Sequence, residues 1–202
     1  MKLRTSIDFF SEKAWQQAKF LASAPSFKCC IPEGPLPEIA FVGRSNAGKS
    51  SLINALARRK GLAKSSSTPG KTQAMNFFSV GDLCILVDMP GYGFAKVPKE
   101  IREQWNVEID LYFTKRSTLQ AAILVLDIRR EPSAEDVQCA LFCLHKGIPL
   151  LCVFTKGDLV KEPLLSAKRA MEALGDLPYA VHSEGDPYAR KHVLMRLKEL
   201  WD

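Results

Sequence analysis

The run Gly43-Arg44-Ser45-Asn46-Ala47-Gly48-Lys49-Ser50 matches GxxxxGK[ST] between an apolar stretch and a helical one. Its glycines let the backbone curl so that successive N–H groups face inward around a phosphate. A helix starting at the lysine adds its dipole to that attraction. Lys49 would then reach the outer phosphates, and the Ser50 hydroxyl would ligate magnesium. Two later segments fit the same chemistry. Leu83-Cys84-Ile85-Leu86-Val87-Asp88 is an apolar run ending in a carboxylate, followed by Met89, Pro90 and Gly91. Asp88 there can hold a magnesium-bound water, and Gly91 lets its N–H approach a terminal phosphate. Thr155-Lys156-Gly157-Asp158 follows another apolar run. Asp158 can accept from the ring N1–H and the exocyclic amine of guanine, a donor pair that adenine lacks. Lys156 can lay its aliphatic stem along the base.

Between the first two motifs lies the polar stretch 65–73, with Thr68, Pro69, Gly70 and Thr72 and no periodicity. A hydroxyl here could complete a magnesium shell only when a terminal phosphate is present, which would make the loop a switch. Both threonines are candidates by spacing.

These residues must be carried by strands and helices, and the pattern supplies them. Strands are expected over residues 39–42, 74–80, 83–88, 121–127, 150–155 and 179–182. Helices are expected over 49–60, 99–115, 134–146, 164–174 and 187–201. Alternation of apolar strands with helices predicts a mostly parallel sheet covered on both faces. Gly81-Asp82 should close one antiparallel hairpin. Ser133 and Asp136 resemble a capping box. Residues 1–36 read as an amphipathic helix over 11–21 followed by a Pro-rich connector (Pro25, Pro32, Pro35, Pro37).

The chain of 202 residues is 47% hydrophobic and 25% charged, which excludes disordered and fibrous classes. No apolar run approaches the roughly 20 residues that span a bilayer, so a cytoplasmic protein is expected. The six cysteines show no metal-type spacing and read as reduced structural thiols, with Cys84 and Cys152 in apolar strand-like runs. The formal net charge is +6, and residues 39–81 hold seven basic side chains and no acid. That block points to a polyanionic partner.

In order and sequence, Gly-Arg-Ser-Asn-Ala-Gly-Lys-Ser-Ser-Leu-Ile-Asn, Thr-Pro-Gly-Lys-Thr-Gln and Asp-Met-Pro-Gly-Tyr-Gly-Phe-Ala resemble the EngB (YihA/YsxC) family of P-loop GTPases. The resemblance runs from about Pro37 to the C-terminus. It implies an α/β GTP-binding domain over 37–202, with a six-stranded, mostly parallel sheet, one antiparallel hairpin strand and helices on both faces. It further implies a monomeric GTPase acting late in assembly of the large ribosomal subunit and needed for normal septation, with GTP, Mg2+ and ribosomal RNA as its partners. By that match Thr72 is the switch threonine, bound directly to magnesium with Ser50, while Asp88 acts through water. The nucleotide surface would comprise the phosphate loop 43–50, Gly70, Lys71, Thr72, Gln73, Ala74, Asp88, Met89, Pro90, Gly91, the 155–158 loop, and Val181, His182 and Ser183. Catalysis would rest on Lys49, Asn46, Thr72 and Gly91.

Many GTPases orient the attacking water with a glutamine directly after the Asp-x-x-Gly glycine. Tyr92 stands there, so slow unaided hydrolysis is expected. Asn46 either stabilises the loop or, by likeness to potassium-dependent GTPases, helps hold K+. Arg58, Arg59, Lys60, Lys64 and Lys71 are candidate RNA contacts, with the C-terminal helix (Arg190, Lys191, Arg196, Lys198) in reserve. The alternative is a nucleotide-gated RNA-binding factor with little hydrolysis of its own.

Overall fold

The computed structural model describes residues 7–64, 74–93 and 99–202. A seven-stranded sheet, ordered β1-β3-β4-β2-β5-β6-β7, runs through the molecule. Its strands are β1 (Lys19–Ala24), β2 (Glu38–Val42), β3 (Met75–Val80), β4 (Cys84–Asp88), β5 (Leu119–Asp127), β6 (Leu150–Thr155) and β7 (Tyr179–Val181). The helices are α1 (Glu12–Gln16), α2 (Lys49–Leu56), α3 (Lys99–Lys115), α4 (Ala134–His145), α5 (Pro163–Leu174) and α6 (Ala189–Trp201). Strands β4, β2, β5, β6 and β7 pair in parallel, while β3 is antiparallel to both β4 and β1. This is the P-loop GTPase arrangement, with one strand more than the sequence pattern predicts.

Period-two alternation builds two cores. On β5, Ala121, Ile123 and Val125 face one side with Leu52, Leu56, Leu194 and Trp201. Ala122, Leu124 and Leu126 face the other with Tyr112, Phe113, Cys143 and Met171. Burial of both faces explains the near-continuous apolar strands. The six cysteines are free thiols. Ser133 caps α4 with Asp136 in the expected reciprocal box.

The N-terminal region departs from expectation. The helix predicted over 11–21 stops at Gln16, and Lys19–Ala24 instead becomes the edge strand β1. Pairing with β3, with Phe20 edge-on to Phe78 at 5.7 Å, outweighs the helical period. The segment also joins the first core: Trp15 donates from Nε1 to the Phe9 carbonyl at 2.9 Å, and Phe9 stacks edge-on with Trp201 at 5.6 Å. Residues 7–24 thus share the sheet and the first core with the rest of the described chain.

The connector is held by a buried group. Arg116 pairs with Glu38 at 2.6 Å, Tyr112 donates to the same carboxylate at 2.5 Å, and Arg116 Nη1 donates to the Ile31 carbonyl at 2.8 Å. Such a pair is costly to bury, and losing one partner would destabilise by about 3–5 kcal/mol.

Two shorter differences have local causes. Helix α2, expected to reach residue 60, ends at Leu56 because the Asn54 amide bonds both the N–H and the carbonyl of Ala63, turning the chain back. The β3–β4 hairpin closes through residues 81–83, with Leu83 N–H donating to the Val80 carbonyl at 2.9 Å.

Candidate functional site

The phosphate loop leaves the carboxyl end of β2 and enters α2, where a parallel sheet presents its ligand site. Gly43 has φ +146°, and a Cβ there would lie 2.3 Å from the Val125 carbonyl oxygen, so no side chain fits. Lys49 is buried and donates to the carbonyls of Gly43 at 3.1 Å and Arg44 at 3.2 Å. Burial lowers its pKa, against an opposing pull from Asp88. Both bonds go to exchangeable acceptors, so the ammonium is prepositioned for an anion in the loop.

Ser50 Oγ donates to Asp88 Oδ2 at 2.7 Å. Asp88 Oδ1 is buried and unpartnered. Burial raises the Asp88 carboxyl, while Lys49 and Ser50 partly counter it. A hydroxyl beside an orphaned carboxylate oxygen suits a hard cation that keeps several waters and phosphate oxygens as ligands. Among the described residues no group of three or more His, Cys, Asp or Glu side chains forms a metal cluster.

The base-side loop follows β6. Thr155 Oγ1 lies 2.5 Å from the Ala47 carbonyl and 3.1 Å from the Leu126 carbonyl, so its one proton ties it to the phosphate loop. Lys156, in a left-handed conformation at φ +62°, donates to the Asn46 carbonyl at 2.9 Å and pairs with Asp127 at 2.6 Å. Burial would raise Asp127, but hydrogen bonds from Arg129 and Lys156 reverse this and hold the carboxyl well below the usual range. Asp158 is exposed, with Oδ1 accepting from Glu184 N–H at 2.9 Å. Gly157 N–H donates to the His182 carbonyl at 3.2 Å, and a Cβ on Gly157 would meet Ser183 Oγ at 2.3 Å.

The structure therefore brings together the phosphate loop, Asp88 to Gly91, the 155–158 loop and Val181 to Ser183 at the carboxyl ends of the parallel strands. Ala74 lies just before β3, and Met89 is buried beneath the site. Gly70, Lys71, Thr72 and Gln73 lie outside the described residues, as does the choice between Thr68 and Thr72. Asp127 went unpredicted, although it ends an apolar strand as Asp88 does. The proposed RNA contacts Arg58 and Arg59 are partly engaged within the fold. Arg58 pairs with Glu12 at 3.4 Å, and Arg59 donates to the Ala18 carbonyl. Arg190 is likewise occupied, by the Leu56 carbonyl and Glu12, both at 2.7 Å.

A family model described as "50S ribosome-binding GTPase" matches residues 38–156. The curated "Probable GTP-binding protein EngB" of Citrifermentans bemidjiense is 48% identical over 147 residues, covering 73% of this chain and 68% of that protein. The chain belongs to the EngB family of GTP-binding proteins. The protein of the same name from Pelobacter propionicus is 51% identical over 142 residues, with 70% of each chain covered. A solved structure, "Crystal structure of a probable GTP-binding protein engB", superposes with a TM-score of 0.66 at 25% identity, over 81% of this chain and 98% of that one. EngB membership supports GTP and GDP binding and GTPase activity for the chain. Among the described residues no helix is long and apolar enough to cross a membrane.

Proposed function

We propose that this chain is a cytoplasmic, monomeric GTPase that binds the large ribosomal subunit late in its assembly and leaves after hydrolysis. The observation that carries the reading is the joint between its loops: Thr155 and Lys156 fasten the guanine-reading segment to the carbonyls of Ala47 and Asn46. That joint makes base identity and phosphate binding one event. The ribosomal partner is supported by the description of the matching family model and by the basic side chains flanking the site. Lys60 and Lys64 are exposed and remain the leading RNA contacts within the 39–81 block. Normal septation would also depend on the chain.

Ser50, Asp88 and Thr72 would hold Mg2+, which when bound draws charge from the outer phosphate oxygens. Lys49 binds the same oxygens, and the N–H of Gly91 meets the terminal phosphate. Asp158 orients the base through its free oxygen, exchanging the Glu184 contact for the second guanine donor. Because Tyr92 cannot orient water as a glutamine does, hydrolysis is slow alone and is stimulated by the ribosomal partner or by K+ beside Asn46.

Co-sedimentation with large-subunit particles tests this reading. Binding in the presence of a non-hydrolysable GTP analogue, release with GDP, and faster phosphate release with particles are expected. Equal pelleting with both nucleotides, or none, would contradict it. Retention gated by nucleotide without stimulated phosphate release would favour the binding-factor alternative. Equal single-turnover rates in sodium and potassium would remove the K+ role.

A further inference from the structure

We propose that Tyr92 is a positioning residue that latches Gly91 against the phosphate loop and so adds affinity for a nucleoside triphosphate that a diphosphate does not share. The inference rests on the GTP reading above and adds a residue whose side chain touches no phosphate. Tyr92 Oη donates to Asp136 Oδ1 at 2.7 Å. Asp136 is buried at the start of α4, and its other oxygen accepts from the N–H and Oγ of Ser133 at 2.8 and 2.9 Å. The acceptor is thus fixed in place before the tyrosine reaches it. Burial, then neighbouring Cys139 and Asp136, push the Tyr92 phenol far above its ordinary value, so it stays a proton donor.

The main chain of Tyr92 works on the opposite side. Arg44 and Tyr92 form a parallel bridge, and Ser45 N–H donates to the Tyr92 carbonyl at 3.0 Å. This bridge continues the β2–β4 ladder, in which Phe41 pairs with Asp88 and Met89 N–H donates to the Phe41 carbonyl at 3.1 Å. Gly91 is consequently pressed onto the loop: a Cβ there would lie 2.8 Å from Ser45 N and 2.9 Å from Lys49 Nζ. Helix α4, the tyrosine and the phosphate loop are connected by hydrogen bonds at both ends of one residue. Asp136 also lines the cavity that Arg44, Ser45 and Asn46 border, so the latch stands directly beside the loop.

A device of this kind acts only on a ligand that distinguishes its two states. GDP has no third phosphate for the Gly91 N–H to meet, so it gains nothing from the latch. GTP gains because Gly91 does not have to be brought into position on binding.

The test titrates the full chain with a fluorescent GDP and a fluorescent non-hydrolysable GTP analogue, in wild type, Tyr92→Phe, Asp136→Ala and the double variant. Tyr92→Phe should weaken the triphosphate by roughly tenfold while GDP stays within about twofold. Asp136→Ala, which removes the acceptor, should give the same selective loss, and the double variant should lose no more than either single one. A purely structural role would lower both affinities together. Equal loss for both nucleotides, or no loss, overturns the latch. Failure of the wild-type chain to bind either nucleotide would overturn the GTP reading and the latch with it.

Discussion

The two ends of the nucleotide site are prepared differently. At the phosphate end, Lys49, Ser50 and Asp88 are mostly buried and bonded to one another or to loop carbonyls. At the base end, Asp158 is exposed and only one of its oxygens is engaged. The buried end must exchange internal bonds for bonds to the ligand, so it gains most from a strongly charged one. On the proposed reading, the exposed end has only the Glu184 bond to exchange and contributes selection. Strength should therefore reside in the phosphate loop and identity in the base loop, with Thr155 and Lys156 joining them.

The division can be broken most severely at Lys49. Lys49→Met should weaken GTP and GDP alike by roughly 100-fold, the loss of about 3 kcal/mol of charge-assisted bonding, without altering guanine preference. Calorimetry on the folded variant checks it. A selective loss of discrimination would reverse the assignment of roles. Thr155→Val attacks the joint. It leaves the Ala47 carbonyl without its donor and should cost about 1–2 kcal/mol of stability, with a smaller, equal fall in affinity for both nucleotides. Denaturant unfolding beside nucleotide titration measures both.

The subtlest prediction concerns Asp127, whose carboxyl is held low by Arg129 and Lys156 against its burial. A depressed folded pKa stabilises above the unfolded value near 3.9 and loses that contribution as pH falls below it. The stability gap between wild type and Asp127→Asn should stay level from pH 7 to about 5 and narrow below about 4. A gap that widens on acidification would remove the ion pair from the joint.

How much of this was legible follows from where the physics is local. The phosphate loop, the Asp88 strand end and the 155–158 turn were readable because glycine spacing and strand ends encode their backbone shapes directly. Helix α3 matched its expected bounds because a long periodic pattern leaves few choices. β1 was missed because an edge strand with mostly exposed side chains carries no burial pattern, and only the partner strand β3 decides its conformation. Glu38 and Arg116 look like surface charges in sequence, and nothing local reveals that residues 78 apart bury each other. Arg58 and Arg59 show the converse: a basic block suggested free surface, yet long-range partners in α1 and at Ala18 engage part of it. The tie from the Thr155 hydroxyl to the Ala47 carbonyl, 108 residues away in sequence, likewise has no local signature.

The most direct measurement is calorimetric titration of the wild-type chain and Asp158→Asn with the triphosphates of guanosine, adenosine and xanthosine. The account predicts guanosine favoured by at least about 100-fold over adenosine in the wild type, and a switch to xanthosine in the variant. Equal capture of guanosine and adenosine by the wild-type chain would contradict it.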